Sequence, residues 1–236
     1  MEKRLSTSQI DRLGQKLRQQ VFGEAELTLL DEYRRTLGVS YDSVVGSVQK
    51  ILGLPVSGRP AKSTTSIVEK LNRESIRLSQ MQDIAGCRVI VGDLAEQDRA
   101  VGAIAAAFTG CTVVDRRLKP SHGYRAVHLI VRADGSPIEV QVRTSLQHLW
   151  AEMCEKCADV IDPALKYGGG PTSVREVLDT ASRQVADIEE LEVALARAGT
   201  GAEAIVEQSH KMRHDFMDIL QSIIENVNET GLEAFE

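Results

Sequence analysis

Two carboxylates set in a cation-rich stretch of this 236-residue chain are the first residues able to do chemistry. Asp83 opens the run Asp83-Ile84-Ala85-Gly86-Cys87-Arg88-Val89-Ile90. A carboxylate at a strand edge with an Arg five residues on can hold Mg2+ and phosphate together, because that metal takes one or two protein oxygens and shares the phosphates. A plain salt bridge or cap is the other reading of the same run. Glu139 lies in Pro137-Ile138-Glu139-Val140-Gln141-Val142-Arg143-Thr144, where strand alternation puts Glu139, Gln141 and Arg143 on one face and the aliphatics on the other. Such a face is either solvated or the floor of a polar site.

Two basic segments complete the set. In Lys119-Pro120-Ser121-His122-Gly123-Tyr124-Arg125-Ala126-Val127-His128, one of only four tyrosines sits beside a Gly. An aromatic ring with flanking cations suits stacking on a nucleobase and pairing with its phosphates; a Tyr packed at a strand start explains it equally well. In Arg59-Pro60-Ala61-Lys62-Ser63-Thr64-Thr65-Ser66-Ile67-Val68-Glu69-Lys70, Lys62, Ser66 and Lys70 are spaced by four. A helix that includes Lys62 stacks them along one face, where they either line a triphosphate or stand in solvent. No Gly-rich turn leads into Gly-Lys-Ser/Thr, so this is not a P-loop.

Charge follows the same division. The chain carries 34 acidic and 28 basic residues, net −6. Between Val56 and His128 eleven Lys/Arg face seven Asp/Glu, a local +4 that leaves −10 for the rest. A focused basic region in an acidic protein fits a small polyanion such as a nucleotide better than a long duplex. The longest uncharged stretch, Ala100–Val114, is too short for the roughly 20 apolar residues of a membrane span. The first residues have no apolar run behind their charges, which predicts a cytoplasmic setting, and four cysteines are expected to be thiols.

The elements that position these residues read as α+β, a small mixed β-sheet flanked by helices. Residues 1–55 are expected to be an N-terminal helical segment, with helices over Gln9–Gln20 (capped by Ser6 or Ser8), Glu24–Leu37 and Tyr41–Leu52. Residues 56–160 form the core: a loop over Leu54–Pro60, a helix over Ser63–Leu78, a βαβ-like passage (Cys87–Val91, Leu94–Phe108, Thr112–Val114), and strands Arg125–Arg132 and Ile138–Arg143 around an Asp134-Gly135 hairpin turn. Residues 161–236 are a C-terminal helical extension, with long helices over Ser173–Ala198 and Ala202–Glu229 meeting at Gly199-Thr200-Gly201; they make a homo-oligomer an expectation.

Taken together, the Asp-Ile-Ala-Gly-x-Arg-Val-Ile run, Gly-Tyr-Arg-x-x-His, and Glu-Val-Gln-x-Arg-Thr followed by Trp150-Ala151 resemble the synthetase domain of the RelA/SpoT family of alarmone synthetases, over roughly Val56 to Lys156. The resemblance implies a GTP/GDP pyrophosphokinase, in which ATP donates its β,γ-pyrophosphate to the ribose 3′-hydroxyl of GDP or GTP to make (p)ppGpp. It implies Mg2+ on Asp83 and Glu139, with Glu139 also assisting deprotonation of the hydroxyl. It implies Arg59 and Arg88 beside the adenine, and Lys62, Ser66 and Lys70 on the ATP phosphates. It implies Tyr124 as the ring on the acceptor base, Lys119, Arg125, His128 and Gln141 as acceptor-side contacts, and a structural role for Arg143. Phosphoryl-type transfer asks chiefly for a metal, cations on the spreading charge and an aligned hydroxyl.

The sequence departs from the family pattern at Ala126 (usually Ser), His122 (usually Asn), the Arg59–Lys62 spacing, and Cys154-Glu155-Lys156 in place of Glu-His-Lys. The departures around Tyr124 motivate a second reading, a toxin-like relative acting on tRNA 3′ ends or adenosine nucleotides. A third, of another class, is an idle relative whose C-terminal helices bind a partner, against which stands the intact Asp83, Glu139, Arg88, Lys62 and Tyr124 set. Residues up to Pro55 contain no His, so they carry no metal-dependent hydrolase set. His210 and His214 lie one helical turn apart but lack the Glu of a zinc-protease motif, and read as a solvated face. Cys154-x-x-Cys157 reads as ordinary thiols.

Overall fold

Side-chain caps mark where three of the helices begin. Ser6 accepts from the Gln9 amide and the Gln9 side chain returns to Ser6, a capping box that opens α1 (Thr7–Arg18). Ser63 opens α3 (Thr64–Arg73) by accepting from the Ser66 amide, and Thr144 opens α5 (Ser145–Val160) with a second capping box, closed by Gln147. The computed structural model describes residues 5–198 and 203–235. Between and beyond these helices lie α2 (Glu24–Leu52), β1 (Val56–Arg59), β2 (Gly86–Val91), α4 (Leu94–Ala107), β3 (Thr112–Asp115), β4 (Val127–Ala133), β5 (Ser136–Thr144), α6 (Thr172–Ala198) and α7 (Glu203–Thr230). The fold is α+β, with a five-stranded mixed sheet in the order β1-β2-β5-β4-β3 and helices against it.

Four local expectations need correction. Glu24–Leu52 is one helix, not two: Leu30, Leu37, Val44 and Val48 form an unbroken buried stripe, and its burial outweighs the roughly 1 kcal/mol that Gly38 costs. The Leu54–Pro60 loop contains β1, an edge strand antiparallel to β2 with Val56 opposite Val89 and Arg59 opposite Gly86. A Cβ at Gly58 would meet the Gly86 carbonyl at 2.5 Å, so this Gly marks a close strand approach rather than a turn. The helix expected over Ser63–Leu78 stops at Arg73, where the Glu74 backbone turns extended, and Lys62 precedes it. Finally, β2 and β3 do not pair, because the β4–β5 hairpin stands between them. That hairpin turns at Asp134 (φ +48°) and Gly135 (φ +75°), as the Asp-Gly signal requires. The Gly199-Thr200-Gly201 connection lies outside the described residues.

The chain divides into two compact units. One comprises Met1–Val89, Val101–Val114 and His128–Gln141; the other comprises Ile90–Ala100, Asp115–Val127 and Val142–Glu236. The first is cored by Leu13 and Leu17 of α1, the α2 stripe, Ile67 and Leu71 of α3, and the inward residues of the sheet, among them Val89, Leu129, Ile138 and Val140. The second is cored by α5, α6 and α7 through Leu146, Trp150, Met153, Leu178, Val185 and Leu220. Beneath that apolar cluster runs a buried polar chain: Gln97 donates to Gln147 Oε1 (2.8 Å), Gln147 donates to Glu189 (3.0 Å), and Thr144 donates to Glu189 Oε1. Arg213 of α7 closes it, donating to Glu192 (2.7 Å), to the Gly92 carbonyl (2.6 Å) and to Ser145 (2.7 Å). Buried polar groups persist in such a core because each finds a partner.

Candidate active site

The polar face of β5 is a floor, not a solvated surface. Ile138 and Val140 are fully buried on one side, and on the other Glu139 is only 14% exposed. Its Oε1 lies 2.9 Å from Nδ1 of His128 on β4, and its Oε2 accepts from Gln141 Nε2 at 2.8 Å. Gly86 allows β5 to pass this close: a Cβ there would stand 2.9 Å from the Glu139 carbonyl oxygen. Burial pushes the Glu139 carboxyl up, but the His128 and Gln141 contacts outweigh it, and the group settles below its ordinary range.

Asp83 sits just ahead of β2, between two ammonium groups. Lys62 Nζ donates to Oδ2 at 2.7 Å and Lys70 Nζ lies 3.0 Å from Oδ1, with all three side chains 13–20% exposed. Here too burial raises the carboxyl and the cations more than offset it, so Asp83 is held below its usual value. Oδ1 is buried, with the Lys70 ammonium as its ion-pair partner. The Asp83 charge is also felt at Glu139, where it acts to raise the carboxyl.

The backbone that presents the lysines is pinned from the N-terminal helices. Arg34 of α2 donates from Nη2 to the Lys62 carbonyl (2.8 Å) and to Thr64 Oγ1 (3.0 Å). Arg18 of α1 holds the other end of α3, donating to the Leu71 carbonyl (2.8 Å) and the Ile76 carbonyl (2.5 Å). The Lys62 amide donates to the Ile84 carbonyl at 2.7 Å, which ties it to the Asp83 segment. Ser66, in the first turn of α3, donates its amide to Ser63 Oγ, and the two hydroxyls lie 2.9 Å apart. Arg18 and Arg34 escaped sequence reading, since their partners lie 53 and 28 residues away and no local pattern marks them. Arg88 stands opposite Ser57 and Arg59 opposite Gly86, so the two arginines occupy the same face of neighbouring strands, one diagonal apart.

Tyr124, Arg125 and Lys119 belong to the second unit. The Tyr124 hydroxyl accepts from Arg143 Nη2 at 2.9 Å, and the Arg143 guanidinium lies 4.9 Å from the ring centroid, a cation–π contact made by a buried Arg. Arg125 donates to the Arg117 carbonyl (2.9 Å), and Lys119 is exposed. Ser121 and Tyr124 pair across the tight turn formed by His122 (φ +51°) and Gly123 (φ +84°). Ala126 is fully buried, so that departure from the family pattern is a core position. Of the acceptor-side residues that the resemblance implied, the structure therefore brings His128 and Gln141 onto Glu139, and carries Lys119, Tyr124 and Arg125 on a separate loop.

Among the described residues no group of three or more His, Cys, Asp or Glu could hold a metal. Mg2+ asks for less, usually one or two carboxylates completed by phosphate and water. Two ionised carboxylates, Asp83 and Glu139, are a hard-oxygen donor set of that kind. His210 and His214 lie on an exposed face of α7, with His214 Nδ1 2.8 Å from the His210 carbonyl. Cys154 and Cys157 are buried free thiols, pushed up by that burial to about 11 and about 12, and inert at neutral pH.

Comparison with known proteins finds similarity over the middle of the chain. Residues 58–158 match the family described as "Region found in RelA / SpoT proteins". An uncharacterized protein of Mycobacterium tuberculosis is 37% identical over 134 residues, 55% of this chain and 49% of that protein, so the match spans about half the length of that relative. A GTP pyrophosphokinase of Haemophilus influenzae is 32% identical over 109 residues, 44% of this chain and 14% of that protein. The crystal structure of small alarmone synthetase 1 from Bacillus subtilis superimposes with a TM-score of 0.53 at 27% identity, over 71% of this chain and 97% of that one. The same enzyme bound to its product pppGpp gives 0.51 at 26% identity, with the same coverage. Over residues 58–158 the chain is thus similar to the region shared by RelA and SpoT proteins, and its fold is that of the small alarmone synthetases.

Proposed function

We propose that the protein transfers the β,γ-pyrophosphate of ATP to the 3′-hydroxyl of GDP or GTP, making (p)ppGpp in the cytoplasm. The observation that carries this reading is the pair of buried, ionised carboxylates in one unit, Asp83 under two lysines and Glu139 under His128 and Gln141. A phosphate-transfer site needs that combination of metal-binding oxygens and mobile cations. The similarity to a small alarmone synthetase and to a GTP pyrophosphokinase supports the choice of reaction.

In this reading Asp83 and Glu139 hold Mg2+, which supplies neutralisation of phosphate charge when bound. Everything else falls to the chain's own side chains. Lys62 and Lys70 exchange Asp83 for phosphate oxygens, with Ser66 adding a hydroxyl on the same helix. Arg59 and Arg88, diagonal on one sheet face, flank the adenine. Glu139, oriented by its two partners, takes up the proton of the attacking hydroxyl, and Tyr124, braced by Arg143, stacks on the acceptor base, with Lys119 and Arg125 beside it.

The test is incubation with Mg2+ and γ-labelled ATP, with GDP, GTP, ATP or deacylated tRNA offered in parallel and Glu139→Gln as control. Label moving to a guanosine nucleotide, and lost in the variant, is the expected result. Label on tRNA or on adenosine nucleotides alone would refute the guanosine assignment. No helix among the described residues is long and apolar enough to cross a membrane.

A further inference from the structure

We infer that the helices after the synthetase-like core are part of acceptor recognition: Ser182 of α6, working with Trp150 of α5, latches the loop that carries Tyr124 and so sets affinity for the acceptor nucleotide. This rests on the pyrophosphokinase reading above, and it gives the C-terminal segment a task that neither its periodicity nor its family likeness assigns.

The latch is visible at Gly123. Its carbonyl accepts from Ser182 Oγ at 2.6 Å, and its Cα runs so close to the indole that a Cβ would stand 2.7 Å from Trp150 Cζ2 and 3.1 Å from Ser182 Cβ. A residue at φ +84° with no room for a side chain is held by its neighbours as much as by its own preference. Ser182 is 3% exposed and Trp150 is 2% exposed, and the indole Nε1 donates to the Leu178 carbonyl at 2.8 Å, one helical turn before Ser182. Indole and hydroxyl are thus fixed to a single rigid helix, which presents both to the loop.

On the other side of the turn, His122 packs its ring against Gly168, itself at φ +77°, where any side chain would run into the imidazole. Gly123 and its neighbour Tyr124 are therefore gripped from the segment that follows α5, while Arg143 fixes the Tyr124 hydroxyl from below. The ring can meet a base productively only in the orientation these contacts leave it, so a loosened Gly123 costs acceptor affinity without touching the ATP lysines. Ser182 is a positioning residue, acting through Gly123 on Tyr124.

The experiment compares wild type, Ser182→Ala and Ser182→Thr in steady-state transfer. Ser182→Ala is expected to raise the acceptor KM about five- to tenfold, the loss of one hydrogen bond, with the ATP KM within about twofold and restoration by Ser182→Thr, which keeps the hydroxyl. Trp150 is the sole tryptophan, so its quenching by acrylamide in nucleotide-free protein reads the loop directly, and quenching should rise in Ser182→Ala. An active wild type with an unchanged acceptor KM in Ser182→Ala, KM values for both substrates rising together, or unaltered Trp150 quenching would each overturn the latch. Wild type that transfers nothing would instead bring down the reading beneath it, a failure already evident before any variant is made.

Discussion

Replacing Asp83 by Asn tests the charge logic of the site most directly, because it keeps the side chain's size and removes the anion between two ammonium groups. Lys62 and Lys70 approach it at 2.7 and 3.0 Å. At an effective dielectric of about 20, each contact is worth on the order of 5 kcal/mol before costs. Desolvating three largely buried groups and immobilising two lysines offsets most of that, leaving about 2–3 kcal/mol for the cluster. In a chain of this length the free protein should then melt about 4–12 °C lower. The same change removes the carboxylate that competes with a triphosphate for the two lysines, so metal-free ATP should bind the variant roughly tenfold tighter, about 1.4 kcal/mol. Thermal melts with and without ATP, in EDTA and in Mg2+, separate the two effects: the variant gains more than wild type from ATP in EDTA, and less in Mg2+, where Asp83 serves the metal. Pyrophosphate transfer should be lost throughout. A variant that melts with wild type and gains nothing extra from ATP in EDTA would show that the lysine–Asp83 contacts neither stabilise the fold nor compete with phosphate.

Three further outcomes are expected. Tyr124→Ala should raise the acceptor KM about tenfold or more while sparing that of ATP, since base stacking supplies roughly 1–3 kcal/mol; steady-state kinetics with each substrate varied decides it. Arg34→Met should do the reverse, raising the ATP KM about tenfold through a loosened Lys62 segment, as charged donors contribute about 1.5–3 kcal/mol per hydrogen bond. Glu189, buried beside Thr144, Gln147, Arg213 and Glu192, has its carboxyl pushed up by burial, which its hydrogen bonds and Arg213 only partly offset. A raised folded-state value means stability present below the unfolded carboxylate range, about pH 4.3, and lost as pH rises through the folded one. Urea unfolding at pH 5 and pH 8 should show wild type weaker at pH 8, with Glu189→Gln removing much of that difference. Asp83 and Glu139 run the other way, adding stability above about pH 4 that disappears as pH falls through their lowered values.

What could be read from sequence was whatever a few neighbouring residues decide among themselves. Ser6 and the Asp134-Gly135 turn were legible because cap and turn act within four residues. The break expected near Gly38 and the loop expected over β1 failed for the opposite reason: a buried stripe along α2 and the pairing of β1 with β2 override the local preference of Gly and Pro. At the site, residue types were legible and their bonds were not. Asp83, Glu139, Lys62 and Lys70 could be named from pattern, yet nothing in the pattern joins Lys62 to Asp83 across 21 residues, or Gln141 and His128 to one carboxylate. Ser182 reaches Gly123 across 59 residues and looks in sequence like any small residue on a helix.

The strand order carries a consequence for how the protein is born. β5, which holds Glu139, is the last strand made and the middle one of five, so until Thr144 has left the ribosome the nascent chain presents two open strand edges, on β2 and on β4. Folding of the sheet must wait for that strand and close it from the centre outward, a non-local step that slows collapse and leaves the edges exposed to other chains meanwhile. Chaperone dependence and aggregation of truncated products should concentrate on chains ending before residue 136, and no such fragment can assemble the carboxylate pair.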